Sequence, residues 1–251
     1  MLLTRFQPTL SFGLGDGWQA MLRVPYDIKS MGIEYTDLQG NPFDPPYGDI
    51  HHRNETLTGF GDGEFEAQYF WSPKPKWVMG GGLGSTLPFG HTEEDPYIRA
   101  SQSLRHQHIQ MGSGTFDPIA SATVVWSGHR WGFSAHSTGK LALYENNKDY
   151  RPSSTVQLTL GPTYRFTSKF MLLTHLGAQR DWQAAWSGEP DPLSGRSLVT
   201  TGASIIQRFT SKVAIMGQIR ATVFQHSVAD TILQPMVGSV GVSVTPPAKK
   251  K

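Results

Sequence analysis

The sequence predicts an all-β fold, an antiparallel up-and-down transmembrane β-barrel. Three observations favour this class: apolar and polar residues alternate with period two, the connections alternate between short and long, and aromatic residues flank the short ones. Eleven alternating segments are visible. Because single-chain bacterial barrels have even strand numbers, we expect about twelve strands in the complete barrel, with one strand and an export signal preceding Met1.

The composition excludes several other classes. None of the 251 residues belongs to a run near the ~20 apolar residues of a spanning helix, and no cysteine is present for disulfides, thiolate metal sites or nucleophiles. Lys+Arg 22 and Asp+Glu 20 nearly balance, so we expect no nucleic-acid partner. We expect one barrel domain over residues 1–245 and a basic tail over residues 246–251.

The strands are predicted in chain order from segments in which every second residue is apolar; we call these positions the apolar parity of the strand, and the positions between them the polar parity. In the first half the parity is carried by Phe6, Leu10, Phe12 and Leu14, then Trp18, Ala20, Leu22, Val24 and Tyr26, then Phe65, Ala67, Tyr69 and Trp71. In the second half it is carried by Val156, Leu158, Leu160, Pro162, Tyr164 and Phe166, then Val199, Ala203, Ile205 and Phe209, then Val213, Ile215, Ile219 and Val223. Weaker alternation predicts strands at 77–89, 115–126, 131–144, 170–182 and 236–245.

The connections indicate that the two ends of the barrel face different surroundings. Tight polar turns lie at 15–17, 72–76, 127–130, 167–169 and 210–212. Longer polar or Pro/Gly-rich connections lie at about 29–62, 90–114, 145–153, 183–196 and 225–235. This alternation is typical of outer-membrane barrels with short periplasmic turns and long outer loops.

Aromatic residues are concentrated beside the short turns. The segment Arg165–Lys169 returns as Arg208–Lys212, and both copies place a phenylalanine before a polar turn. A girdle of aromatic residues around one end of a barrel is expected at a membrane interface. Packing in a sandwich core is the alternative for any one of these residues. The residues concerned are Trp18, Trp71, Trp77, Trp126, Trp131, Phe166, Phe170 and Phe209.

The polar parity of the strands favours a wet lumen over a surface in bulk water. It consists mostly of Gln, Thr, Ser and Gly, whereas a soluble protein would expose many Lys and Glu there. A soluble all-β ligand-binding module, with the apolar parity as its core, is the alternative. The charged and histidine residues predicted to line the lumen are Arg23, Asp27, Glu64, Glu66, His136, Lys140, Arg165, His175, Arg208 and Arg220.

These lumen charges allow two interpretations. Glu64 and Glu66 could pair across neighbouring strands with Arg23 and other arginines, and these ion pairs would hold the strands together inside the barrel. The same residues could instead select the solute that passes through the lumen.

Histidines in two long loops predict a divalent transition-metal site. Imidazoles and carboxylates on adjacent loops can bind such ions, and His-x-His in an extended chain places both rings on one side. Solvated loop histidines and a polar plug are the alternatives, and no other cofactor is expected. The candidate ligands are His51, His52, His91, His106 and His108.

No catalytic motif is present, and we expect that the protein is not an enzyme. The sequence lacks Gly-x-Ser-x-Gly, His-Glu-x-x-His and a phosphate-binding loop, and the run Gly80–Gly84 lies in a predicted strand. A membrane hydrolase would need Ser and His on the lipid-facing parity. His136 and His175 fall on the lumen parity, which argues against this third possibility.

Several segments resemble an outer-membrane transporter family of Gram-negative bacteria that is labelled as meta-pathway phenol-degradation proteins. The matching stretches are 13–18, 23–26, 55–63, 87–94, 106–110 and 112–118, so the resemblance covers roughly residues 5–126. It implies a barrel in the outer membrane, in contact with its lipid, acting as a passive pore or as a binding or transport protein for small, hydrophobic or aromatic solutes. The ending Pro246–Lys251 departs from the terminal aromatic residue usual in outer-membrane proteins.

Overall fold

The computed structural model describes residues 1–46, 50, 53–229 and 233–245. Almost all of its secondary-structure elements are strands. In chain order they are β1 (Leu2–Phe6), β2 (Thr9–Gly15), β3 (Trp18–Arg23), β4 (Tyr26–Met31), β5 (Glu55–Phe60), β6 (Gly63–Trp71), β7 (Trp77–Leu87), α1 (Pro96–Ser101), β8 (Pro118–Ser127), β9 (Trp131–Lys140), β10 (Tyr150–Arg151), β11 (Thr155–Arg165), β12 (Phe170–Asp181), β13 (Ala185–Trp186), β14 (Glu189–Pro190), β15 (Arg196–Arg208), β16 (Val213–Ser227) and β17 (Met236–Val244).

The main sheet has eleven antiparallel strands that pair with their neighbours in the order β17-β16-β15-β12-β11-β9-β8-β7-β6-β3-β2. Arg5 lies near the edge strand β2, and Ser227 lies near the edge strand β17. Both residues line the same cavity, so the sheet curls around a lumen. This confirms the predicted up-and-down barrel. In the described part of the chain no ladder joins β2 to β17, and the additional strand expected between them stays a prediction.

The first three long strands of the barrel are each interrupted, at residues 7–8, 24–25 and 61–62, and we call this line of interruptions the crease. β1, β4 and β5 pair as a separate three-stranded sheet that continues β2, β3 and β6 toward the long-loop end. Pro8 and Pro25 interrupt two of these strands because proline donates no hydrogen bond to a ladder. One backbone hydrogen bond crosses the crease between each pair of neighbouring strands: Val24 N–H donates to Pro8 O (3.2 Å), and Gly61 N–H donates to Pro25 O (3.0 Å).

The apolar parity faces outward. Leu158, Ile205 and Val240 are 39%, 49% and 82% exposed, whereas the largest fully buried side chains include Glu66 and Asp27, each 1% exposed. This is the reverse of a protein folded in water, where large aliphatic side chains are buried and acidic side chains are mostly exposed. The distribution excludes the soluble module with an apolar core.

Aromatic side chains are exposed on the outer face beside the short turns. Trp131 packs edge-on against Tyr164 at 4.8 Å between ring centroids, and Tyr164 against Phe166 at 4.8 Å. On neighbouring strands Trp18 contacts Tyr69 at 5.1 Å. The rings form contiguous groups at one end of the barrel, as expected at a lipid–water interface.

The bounds of two long connections differ from those that the alternation predicts. The segment 29–62 was expected to be a loop, but β4 runs to Met31 and β5 occupies Glu55–Phe60. The two large apolar residues of β5, Leu57 and Phe60, lie on opposite faces of the strand, so no apolar alternation marks it in the sequence. The strand expected at 115–126 begins only at Pro118, because residues 115–117 form side-chain hydrogen bonds.

Small elements lie within the other long connections. Helix α1 begins at Pro96 and is capped by Asp95, whose carboxylate accepts from the backbone N–H groups of Tyr97 and Ile98. β10, β13 and β14 form a small sheet from the connections after β9 and β12. Across the described ranges no helix has the length and hydropathy to cross a membrane.

Candidate functional site

A cavity of about 540 Å³ occupies the long-loop end of the lumen. Its wall comes from inner-face residues of strands around the sheet, because alternate side chains of each strand point to the lumen. Residues of four loops, at 110–113, 152–153, 193–195 and 229, also line it. The cavity therefore lies between the strand ends and the long loops.

Arginine–carboxylate pairs cover one wall of the cavity. Arg5 holds Asp27 through two bonds of 2.7 and 2.8 Å, and Arg23 contacts Glu64 at 2.7 Å and Glu66 at 3.1 Å. The register explains the first contact of each set, since Arg5 lies opposite Asp27 and Arg23 opposite Glu64 on paired strands. The carboxylates on this wall are thus neutralised by their neighbours.

A second ion pair lies on β12 and β15. Arg196 contacts Asp181 at 2.9 Å, and the two residues are direct partners across the ladder. The amide of Gln179 donates to both oxygens of Asp181, at 2.8 and 2.9 Å, and its own oxygen accepts from Gln157 at 3.2 Å. A line of polar groups therefore runs from this ion pair down the inner wall.

Asp62 anchors the connection between β7 and β8 to the crease. One carboxylate oxygen accepts from the backbone N–H (2.6 Å) and the hydroxyl (2.5 Å) of Ser113, and the other accepts from Gly90 N–H (3.1 Å). Glycine is required where this connection crosses itself, because a Cβ on Gly112 would lie 2.5 Å from both Asp62 Oδ1 and Gly90 Cα. Asp62 is therefore one of the side chains that hold the connection against the lumen.

Buried polar groups continue from this anchor toward β8. Thr115 is fully buried and donates its hydroxyl to Asp117 (2.8 Å), while Asp117 N–H donates to the Thr86 hydroxyl (2.7 Å). Burial raises the pKa of the Asp117 carboxyl above its usual value, against the opposing effects of Thr115 and Lys140. Burial likewise raises the pKa of Tyr150 in β10.

The structure brings together some of the predicted lumen residues and separates others. Arg23, Asp27, Glu64 and Lys140 line the cavity, and Glu66 lies directly beneath Arg23. The remaining predicted residues lie elsewhere on the inner face.

Five predicted residues remain, and all lie outside the cavity lining. His136 contacts the hydroxyls of Thr123 (2.9 Å) and Thr138 (3.0 Å). His175 and Arg220 are ladder neighbours on either side of Gly202. Arg165 and Arg208 end their strands beside the short turns, far from the cavity lining.

Several cavity residues escaped the sequence analysis. Arg5, Asp181 and Arg196 lie on the polar parity of their strands, so extending the alternation to the strand ends would have found them. Lys29 also faces the cavity, where it donates to the backbone oxygen of Gln110 at 2.6 Å. Asp62 sits in the crease, where the period is broken, and no pattern indicates it.

The candidate metal ligands are only partly described. His51 and His52 lie outside the described residues. His106 and His108 pack edge-on at 5.3 Å between ring centroids, and His91 contacts Glu93 at 3.5 Å. Within the described ranges no group of three or more His, Cys, Asp or Glu could hold a metal ion, and a site that includes the other two histidines stays a prediction.

We expect that Asp62→Ala loosens the connection between β7 and β8. The variant leaves the backbone N–H groups of Gly90 and Ser113 without their acceptor, at a cost of about 1–3 kcal/mol. Trypsin should then cleave after Arg105 several-fold faster, as measured by gel densitometry of the folded protein. Asp37→Ala, which removes an exposed carboxylate from another loop, is the control; equal cleavage of both variants would contradict the role of Asp62.

Comparisons with known proteins agree with this architecture. A family model described as "Putative MetA-pathway of phenol degradation" matches residues 17–188, beyond the part in which motifs carry the resemblance. The chain is similar to the COG4313 outer membrane channel from Pseudomonas putida F1, with 12% identity, a TM-score of 0.66, and coverage of 97% of this chain and 83% of that one. This likeness shows a shared fold.

Two further likenesses are weaker. A FadL homologue of Pseudomonas aeruginosa has 13% identity, a TM-score of 0.45, and coverage of 96% and 65% of the two chains. OmpT of Vibrio cholerae has 7% identity, a TM-score of 0.39, and coverage of 96% and 95%. No curated protein matches the sequence.

Proposed function

The chain belongs to the MetA-pathway of phenol degradation family, and from this membership we propose that it is an outer-membrane barrel that passes or binds small organic solutes, hydrophobic or aromatic ones among them. The observation that carries the proposal is the distribution of side chains: aliphatic residues face outward, and polar and charged residues enclose a cavity of about 540 Å³.

The location in the outer membrane has separate support. Closed barrels are the strand structures that satisfy all backbone groups in lipid, and exposed aromatic rings mark one interface. A protein of the same fold is described as an outer membrane channel. The family description refers to phenol degradation, which supports aromatic compounds as solutes.

The proposal includes no catalytic step. The strand acids Asp27, Glu64 and Asp181 are neutralised by arginines, and the cavity offers contacts for binding and orientation. Transport through such a lumen needs a wet path and weak contacts with the solute.

Reconstitution of the purified chain tests the proposal. We expect stepwise conductance in planar lipid bilayers, and swelling of liposomes in arabinose that is absent in the larger sugar stachyose, because a cavity of about 540 Å³ limits the size of the solute that passes. A folded protein that gives neither conductance nor swelling would contradict passage through the lumen. Folding is checked independently by the heat-dependent shift in gel mobility that β-barrels show.

A further inference from the structure

The lumen wall below the cavity contains two buried side-chain nitrogens without partners among the described residues: Arg220 Nε, which is a donor, and His175 Nε2, which is a donor when it carries the ring proton. His175 Nε2 and Arg220 Nε are both buried and neither has a hydrogen-bond partner in the described part of the chain. His175 is 9% exposed. A buried donor without an acceptor is costly, so such atoms indicate a place where a ligand supplies the acceptor.

The register places the two donors together. His175 and Arg220 are the ladder neighbours of Gly202 on its two sides. A Cβ built on Gly202 would lie 2.7 Å from His175 Nε2 and 3.0 Å from Arg220 Cα, so the imidazole reaches over the glycine toward the arginine. The absence of a side chain at this position allows the approach.

Arg220 also lines a small cavity in the same wall. The cavity measures about 40 Å³, and Thr159 and Thr200 line it as well. The two threonine hydroxyls converge over Gly177, whose added Cβ would lie 2.5 Å from Thr200 Oγ1 and 3.8 Å from Thr159 Oγ1. A space of roughly one or two waters accommodates a carboxylate group but not an aromatic ring.

The charges around this cavity favour an anion. On the inner face of β11, β12, β15, β16 and β17 the described carboxylate is Asp181, which Arg196 neutralises at 2.9 Å. Arg220 itself has no ion pair among the described residues. Leu198 and Val237 line the cavity beside the polar groups, so the site combines a cation, hydroxyls and hydrocarbon.

We propose that Arg220, His175, Thr159 and Thr200 form a binding site in the lumen for the carboxylate group of a small organic acid, whose hydrocarbon part lies in the lumen against Leu198 and Val237. This inference rests on the proposed transport function, because it names the class of solute that the lumen takes. The guanidinium would form a charge-assisted hydrogen bond to the carboxylate, with the threonine hydroxyls and the imidazole as further donors.

Ligand-observed ¹⁹F NMR with the detergent-solubilised full chain tests the site. We expect 4-fluorobenzoate to bind saturably and 4-fluorobenzyl alcohol to show only the unsaturable partition into detergent. Arg220→Gln should weaken benzoate binding by about tenfold or more, as expected for loss of a charge-assisted contact. Thr200→Val, which preserves side-chain shape, should weaken it by a smaller factor, and this variant keeps the test available if Arg220→Gln does not fold.

Arg208→Gln is the matched control, because Arg208 is also an inner-face arginine without an ion pair among the described residues, but it lies beside a short turn. Equal weakening by Arg208→Gln and Arg220→Gln, or displacement of benzoate by chloride as effectively as by unlabelled benzoate, would show a general positive field and overturn the site. Arg220-dependent binding without conductance would contradict passage but support the site, whereas conductance without such binding would do the reverse.

Discussion

Replacing Ile219 by arginine should lower the free energy of unfolding in lipid vesicles by about 2–4 kcal/mol. Ile219 lies on the outer face near the middle of β16 and is 53% exposed, so the charge would be placed in hydrocarbon. Lipid hydrocarbon offers no acceptor that could replace its hydration. Urea titration followed by tryptophan fluorescence measures the change.

Gln218→Arg is the control for this prediction, because Gln218 immediately precedes Ile219 in the same strand and faces the lumen. Its ladder partners are Ser204 and Ser239, both small and polar. We expect a change of less than about 1 kcal/mol, since an arginine there can stay hydrated. If Gln218→Arg destabilised the protein more than Ile219→Arg, the inside-out arrangement of the barrel would be refuted.

Removing the positive charge of Arg23 should have a comparable effect. Arg23→Met leaves Glu66, which is 1% exposed, without the cation that contacts it at 3.1 Å, and also removes the 2.7 Å contact with Glu64. Breaking a buried pair in this way costs about 3–5 kcal/mol, because a buried charge is left uncompensated. The same urea titration measures the loss.

A double-mutant cycle identifies the cause of that loss. Glu66→Gln keeps an acceptor for the Ser121 hydroxyl, which contacts Glu66 at 2.6 Å, while removing the charge. Adding it to Arg23→Met should recover part of the lost stability. Strict additivity of the two substitutions would show that the ion pair contributes nothing of its own. Arg165→Met, at a strand end without an ion pair in the described residues, should change stability little.

Some features of the site could be predicted from particular residues. The alternation around Arg23 and around Glu64 and Glu66 assigns all three to one face, and neighbouring strands of a meander make their pairing plausible; the contacts of 2.7 and 3.1 Å follow from the register. The family resemblance, carried by turn and loop motifs, agrees with the family match over residues 17–188.

Other features depend on positions that no local pattern reveals. Asp62 contacts Ser113, which is distant in sequence, and it does so where the crease breaks the period. The crease itself aligns Pro8, Pro25 and Gly61 from three strands, and such an alignment exists only after the strands have paired. The approach of His175 to Arg220 likewise requires the registers of two ladders and a glycine between them.

The amino-acid sequence by itself determined the strand period, the two faces of each strand, and the ends at which turns are short or long. These properties are local, because side chains of a strand alternate whatever its neighbours are. Only the tertiary structure decided which inner-face groups meet, how the loops narrow the lumen, and which donors remain without partners. Those contacts join residues from strands far apart in the chain, and their distances depend on register and on the curvature of the sheet.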